Sequence, residues 1–258
     1  MAKKTLAALT FALAATGGAL LPTVSQAQVA FNVGAVTDYR YRGISQTRLK
    51  PALQGGVDYT AGGLYVGAWA STIKWIDDVG GDAKVEIDLY GGYKGEITKG
   101  LSYDVGVLTY NYPGTGKTSN GTILKQDTVE VYGAVTWKWL TLKYSHALSN
   151  LFGFADSKGA GYLDLSGTFD VGSGVTLTAH VGRQSVPAGS VNGVQVRSGS
   201  DCSYNDWKLG ATKEMSGLTW GAAYYGTDAK GSAGQCYRNA FNRDLGKGTV
   251  VLSVAKTF

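Results

Sequence analysis

Ionisable residues recur in this sequence at every second position. Asp38, Arg40 and Arg42 keep that spacing, as do Glu86 and Asp88, and Asp164 and Asp170 share one parity. Residues two apart lie on one face of an extended strand, so each run lines up charge on a single surface. The same parity adds Asp58, Asp104, Glu130, Lys143, His180, Lys208 and Glu214 to faces of this kind. Such a wall can pass ions and polar solutes. It is too rich in carboxylates to be packed dry, because an unpaired buried charge is costly. Catalysis is the competing reading, and the spacing argues against it. Ser145 adjoins His146, but neighbours in a strand point to opposite faces and cannot exchange a proton directly. His146 and His180 fall on different strands, and the two cysteines lack metal-ligand spacing. No catalytic residue, metal or cofactor is expected. Pro113 to Thr118 looks like a phosphate loop, but the motif requires a glycine where Asn111 stands. Asn120-Gly121-Thr122 matches a glycosylation sequon, which carries no meaning in most bacteria.

The elements that must position these charges are strands. Glycine is abundant, 38 residues of 258, with 16 Tyr, 6 Trp and only 4 Pro; its share is well above the usual one of about 7%. Runs of alternating apolar and polar or small residues span 29–42, 51–60, 64–76, 83–94, 101–112, 125–136, 139–148, 161–171, 175–185, 204–215, 218–227 and 248–258. Short links at 61–63, 95–100, 137–138, 172–174 and 216–217 alternate with long polar ones at 43–50, 77–82, 113–124, 149–160, 186–203 and 228–247. Strict alternation of this kind marks an up-and-down antiparallel transmembrane barrel of about twelve strands, with short periplasmic turns and long outer loops. The apolar faces then meet lipid and the charged faces a wet lumen. Phe31, Tyr93, Tyr103, Trp137, Trp139 and Trp220 fall near the short turns, and Tyr39, Tyr41, Tyr144, Trp207 and Tyr224 near the long loops, as two interfacial girdles require. The third strand is ambiguous: Leu64, Val66 and Ala68 compete with Tyr65, Trp69 and Ile73 for the outside.

The two ends carry further signals. Lys3 and Lys4 precede an apolar run from Leu6 to Leu21, and Ser25 and Ala27 supply the small residues of a cleavage site. Residues 1–27 therefore read as a signal peptide and 28–258 as the barrel. Loss of Lys3 and Lys4 takes the formal charge from +5 to +3, too slight to imply nucleic acid. No long apolar segment remains for a helical span. Cys202 and Cys236, an even pair in an exported chain, read as a disulfide. At the other end Val250, Leu252, Val254 and terminal Phe258 alternate. They resemble the closing strand of outer-membrane barrels, which the assembly machinery of that membrane recognises.

The segment Asp38-Tyr39-Arg40-Tyr41-Arg42-Gly43-Ile44-Ser45-Gln46-Thr47 resembles the signature of the TorF-type porin family of Gram-negative bacteria. Pro51 to Tyr59, the Leu64 to Ser71 stretch and the Lys256-Thr257-Phe258 ending are similar as well. The resemblance spans essentially the mature chain and implies an outer-membrane barrel with a pore role and no known substrate.

A passive channel for small hydrophilic solutes is thus expected, with a structural or adhesive barrel of plugged lumen as the alternative and a barrel enzyme as a third. Carboxylates outnumber bases on the inner face, which points to a weak cation preference. Arg48, Lys50, Lys117, Lys158, Arg197, Arg238 and Arg243 populate the outer loops, where they would meet lipopolysaccharide phosphates.

Overall fold

The computed structural model describes residues 27–114 and 125–258. The signal-peptide residues before Ala27, Asn120-Gly121-Thr122, most of the phosphate-loop lookalike and Lys117 lie outside the described residues. In chain order the elements are β1 (Gln28–Val36), β2 (Arg40–Tyr41), β3 (Ile44–Ser45), β4 (Ala52–Ala61), β5 (Leu64–Thr72), α1 (Trp75–Asp78), β6 (Val85–Thr98), β7 (Leu101–Asn111), β8 (Thr128–Trp137), β9 (Leu140–Ala147), β10 (Gly161–Gly172), β11 (Val175–Ser185), β12 (Gly189–Val191), β13 (Val194–Arg197), β14 (Tyr204–Met215), β15 (Leu218–Thr227) and β16 (Thr249–Thr257).

Twelve of these strands form one closed antiparallel barrel, in the circular order β1-β16-β15-β14-β11-β10-β9-β8-β7-β6-β5-β4. Neighbours in space are neighbours along the chain, apart from the two small hairpins β2–β3 and β12–β13. β1 closes the ring by pairing with β16 from Asn32↔Thr257 to Val36↔Ser253, and with β4 from Gln28↔Thr60 to Val36↔Ala52. Each of the twelve alternating runs contains one barrel strand. The short connections shrink to tight turns such as Ser173-Gly174 and Ser216-Gly217, all four residues with positive φ, the conformation a two-residue hairpin requires.

The alternation is realised as two solvents on two faces. Leu53, Leu64, Val66, Leu89, Leu142, Leu163, Val181, Leu209, Val250 and Leu252 are exposed on the outside, Leu209 by 67%. Phe31, Tyr93, Trp137, Trp139 and Trp220 are likewise exposed toward the short-turn rim, and Tyr144, Trp207 and Tyr224 toward the long-loop rim. The ambiguous third run resolves cleanly. Leu64 and Val66 face out, whereas Trp69 and Ile73 are buried inside and the half-buried Tyr65 shares their face. Interior burial falls into two clusters, one around Tyr39, Trp69 and Tyr110 and one around Ile44, Leu151, Tyr204 and Tyr237.

Several boundaries differ from the sequence reading. The first strand ends at Val36 rather than Arg42, because the chain turns inward there. The third stops at Thr72, and α1 follows it; the fourth runs on to Thr98, leaving only a two-residue turn. The long link 186–203 contains the β12–β13 hairpin, pinned by Arg197. That buried guanidinium donates to the Pro187 carbonyl (3.0 Å) and the Ala155 carbonyl (3.0 Å), so Arg197 is not free to meet lipid phosphates.

Cys202 and Cys236 are disulfide-bonded, with Cα atoms 5.5 Å apart and a sequence separation of 34. The bridge ties the loops that flank the β14–β15 hairpin. Two thiols should titrate only after reduction, and reduction should lower stability by about 3–4 kcal/mol on the chain-entropy account. Thiol titration before and after a reductant, with urea unfolding of both forms, checks this.

Candidate functional site: a tyrosine-lined lumen crossed by its first long loop

Residues 38–48 do not project from the rim. They fold back into the barrel, and the β2–β3 hairpin at their centre turns at Gly43. There φ is +79°, and a side chain would meet Thr227 Cγ2 at 2.5 Å and Asp206 Cβ at 2.9 Å, so only glycine fits. Ile44, Ser45 and Thr47 are buried, which corrects the expectation of an exposed outer loop over 43–50; of that stretch only Leu49 and Lys50 are exposed. Tyr39 and Tyr41 are corrected with them. They point inward, Tyr39 stacking on Trp69 (5.3 Å) and Tyr41 on Tyr110 (5.5 Å), and so do not belong to the outer girdle.

The segment is braced internally. The buried Asp38 carboxylate accepts from Ser45 Oγ (2.6 Å), Thr47 Oγ1 (3.0 Å) and Arg40 Nε (2.5 Å). Arg40 also donates to the Leu245 carbonyl (2.9 Å). The Gln46 carbonyl accepts from the N–H groups of Lys74 (2.8 Å) and Trp75 (3.1 Å), and Arg48 pairs with Asp78. Tyr39 donates to Glu86 (2.6 Å), which also accepts from Tyr112 (2.9 Å).

Arg42 carries the segment across the lumen. Its guanidinium donates to Glu130 on β8 (2.7 Å) and Gln184 on β11 (2.8 Å), and lies 4.2 Å from the centre of the Tyr162 ring on β10. Tyr204 on β14 donates to its carbonyl (2.9 Å). In the ring order, β10 lies across from β1 and β4, between which the segment is inserted. One loop therefore spans the barrel from wall to wall and narrows it. Asp38, Arg40 and Arg42 thus line the lumen from this loop and not from β1.

The remaining wall charges sit on strands and bond mainly to tyrosine. Asp58 accepts from Tyr90 (2.5 Å) and Asp104 from Tyr65 (2.6 Å), whose hydroxyl also meets that of Tyr132. Lys143 lies over the Tyr132 ring (4.0 Å) and Lys208 near that of Tyr225 (5.4 Å). His180 bridges Asp164 (Nδ1, 2.5 Å) and Asp206 (Nε2, 2.9 Å). Asp88 is fully buried, and neither carboxylate oxygen has a hydrogen-bond partner. Asp170 and Glu214 are exposed at the short-turn end; Asp170 accepts from the Gly172 N–H (2.8 Å), capping a turn. Ser145 is buried on the inner face of β9, while the neighbouring His146 stacks beside the exposed Tyr144 (6.3 Å). Among the described residues no group of three or more His, Cys, Asp or Glu could hold a metal ion.

Parity alone would have found Asp206, two residues before Lys208, and Tyr110, Tyr162 and Tyr204 as inward residues. The sequence reading passed over all four. A shared face with the wall charges was their signal.

No curated protein matches this sequence. Among solved structures, the NanC porin in a rhombohedral crystal form gives a TM-score of 0.49 at 12% identity, over 89% of this chain and 98% of that one. An outer membrane channel from Pseudomonas putida F1 gives 0.47 at 12% identity, over 93% and 97%. OprD of Pseudomonas aeruginosa gives 0.41 at 14% identity, over 89% and 66%. The barrel assignment stands on the strand pairings themselves. Residues 22–258 match the family model described as "Bacterial protein of unknown function (Gcw_chp)", and the chain belongs to that family.

Proposed function

We propose that this protein is a narrow outer-membrane channel through which small hydrophilic solutes diffuse passively. One observation carries the reading: a ring without edges presents aliphatic and aromatic side chains outside and hydrogen-bonded charges inside. In hydrocarbon every backbone polar group must be paired, and a closed barrel meets that demand. The inside-out polarity would be unstable in water but suits lipid around a wet lumen.

The TorF-type porin identity belongs to this reading. So does export by cleavage after Ala27, with the short turns in the periplasm and the long loops outside. Val250, Leu252, Val254 and Phe258 would present the closing strand to the assembly machinery, and the basic loop residues other than Arg197 would meet lipopolysaccharide. Protease added to intact cells should cut within 228–247 and spare 43–48. Cleavage confined to the short turns would reverse the orientation.

The loop across the lumen favours a second reading, a structural or adhesive barrel with a plugged interior. Single-channel recording of refolded protein in planar bilayers separates the two, since a plugged barrel gives no steps. With an open path, partly exposed wall carboxylates such as Asp58 and Asp104 should confer a modest cation preference by focusing negative potential in a narrow lumen. Asp58→Asn with Asp104→Asn should reduce it. A reversal potential favouring chloride in a potassium chloride gradient would refute the preference.

A further inference from the structure

Directly above the crossing loop, at the long-loop rim, lies a cavity of about 290 Å³. Its floor is Tyr41, Ile44 and Gln46 of that loop, and its walls come from α1, the 149–160 loop and the 228–247 loop. Aromatic rings make up much of the lining, among them Trp75, Tyr110, Phe152, Phe154 and Tyr237. Phe152 stands edge-on to Tyr41 (5.5 Å), Tyr110 (5.1 Å) and Trp75 (6.3 Å), fixing these rings relative to one another.

Most of the polar groups in this lining are engaged elsewhere. The hydroxyls of Tyr41 and Tyr110 bond each other (2.5 Å), and those of Tyr112 and Tyr204 donate to Glu86 and to the Arg42 carbonyl. Asp78 is held by Arg48 and by Asn239 (2.6 Å), and Arg238 donates to Asn242 (2.8 Å) and the Gly231 carbonyl (3.2 Å). A polyol would have to leave hydroxyls unpaired here, at a cost of roughly 1–3 kcal/mol for each buried group. A cation would find Asp78 already paired with Arg48 and Glu86 already holding two tyrosine hydroxyls. What remains available is mainly ring and aliphatic carbon, with the unpaired Trp75 Nε1–H as one donor. An apolar cavity of roughly 150 Å³ accepts one benzene, so this one has room for a fused two-ring molecule.

We propose that the cavity binds an uncharged planar aromatic molecule of about two fused rings, held on the crossing loop at the outer mouth of the barrel. Access from outside rests on the channel reading given above; the binding itself does not.

The test is calorimetric titration of the purified, disulfide-bonded barrel in detergent with indole, and separately with glucose. Ala240 lines the cavity yet is exposed, so in Ala240→Trp a new ring can fill the space without displacing a packed residue. Subtracting that variant in the same detergent removes micelle partitioning. Saturable binding of indole to the wild type, weakened roughly tenfold or more in Ala240→Trp, is expected, with glucose silent. Equal indole heats in both proteins, or glucose binding as tightly as indole, would overturn the proposal. Should Ala240→Trp fail to fold, Phe152→Ala takes its place and should weaken indole by a similar factor. Conductance recorded on the same preparations keeps the two readings apart. Indole binding without conductance would spare this site and sink the channel, and conductance without indole binding would do the reverse.

Discussion

Joining Val36 to Ala52 through an Asn-Gly pair, with residues 37–51 removed, will raise the conductance of the barrel several-fold. Val36 and Ala52 are direct register partners. A two-residue turn therefore closes the β1–β4 hairpin without moving either strand, and Asn-Gly favours the turn type that such a hairpin needs. The deletion removes Tyr39, Arg40 and Arg42 together, and with them every tie from this segment to β8, β11 and β14. Glu86, Glu130 and Gln184 then face water, which solvates them in place of the lost partners. The strand ladder loses only the pair of bonds between Thr37 and Leu252 (2.9 and 3.0 Å). Single-channel steps no larger than those of the wild type, from a variant that still runs as a folded barrel on unheated gels, would show that residues 37–51 do not set the width.

The second large effect is on stability. Glu130→Ala should destabilise the barrel by about 3–5 kcal/mol, because it leaves a buried guanidinium without its counter-charge. The Arg42 and Glu130 side chains are only 7% and 2% exposed, so water can replace little of what is lost. The Gln184 carbonyl and the rings of Tyr41 (4.8 Å) and Tyr162 (4.2 Å) remain around Arg42, but they supply dipoles and quadrupoles rather than a charge. Arg42→Ala with Glu130→Ala removes both charges and should cost less than Glu130→Ala alone. Urea unfolding from lipid vesicles ranks the three proteins. A double variant less stable than the single one would mean that the pair matters for packing rather than for charge.

The barrel was legible because a strand between two solvents must alternate, and because tight turns on one rim and long loops on the other leave a regular spacing. β5 resisted face assignment since Tyr65, Trp69 and Ile73 are as apolar as Leu64 and Val66. Only the neighbours of Trp69 and Ile73 in the buried cluster decide the matter. The crossing loop was misread for a sharper reason. Thr37 to Arg42 continue the period of β1 without a break, so parity cannot report that the backbone has left the sheet. Gly43 was a local sign of a turn. The partners that hold the loop inside lie far off in sequence, Glu130 and Gln184 among them, and no short-range pattern announces them. The Asp164-His180-Asp206 bridge was partly visible, since parity placed the first two on the inner face, but the third was overlooked.

The seam between β1 and β16 also governs how the molecule can come into being. Until β16 arrives, both β1 and β15 end in unpaired backbone, which water tolerates and hydrocarbon does not. Asn32 must find Thr257 across nearly the whole chain, the kind of distant pairing that makes folding slow. A chain interrupted before Thr249 has no inserted state to fall back on, only two open edges prone to pair with other chains. Completion is thus a threshold. On the channel reading, every unfinished copy needs shelter until β16 has closed the ring.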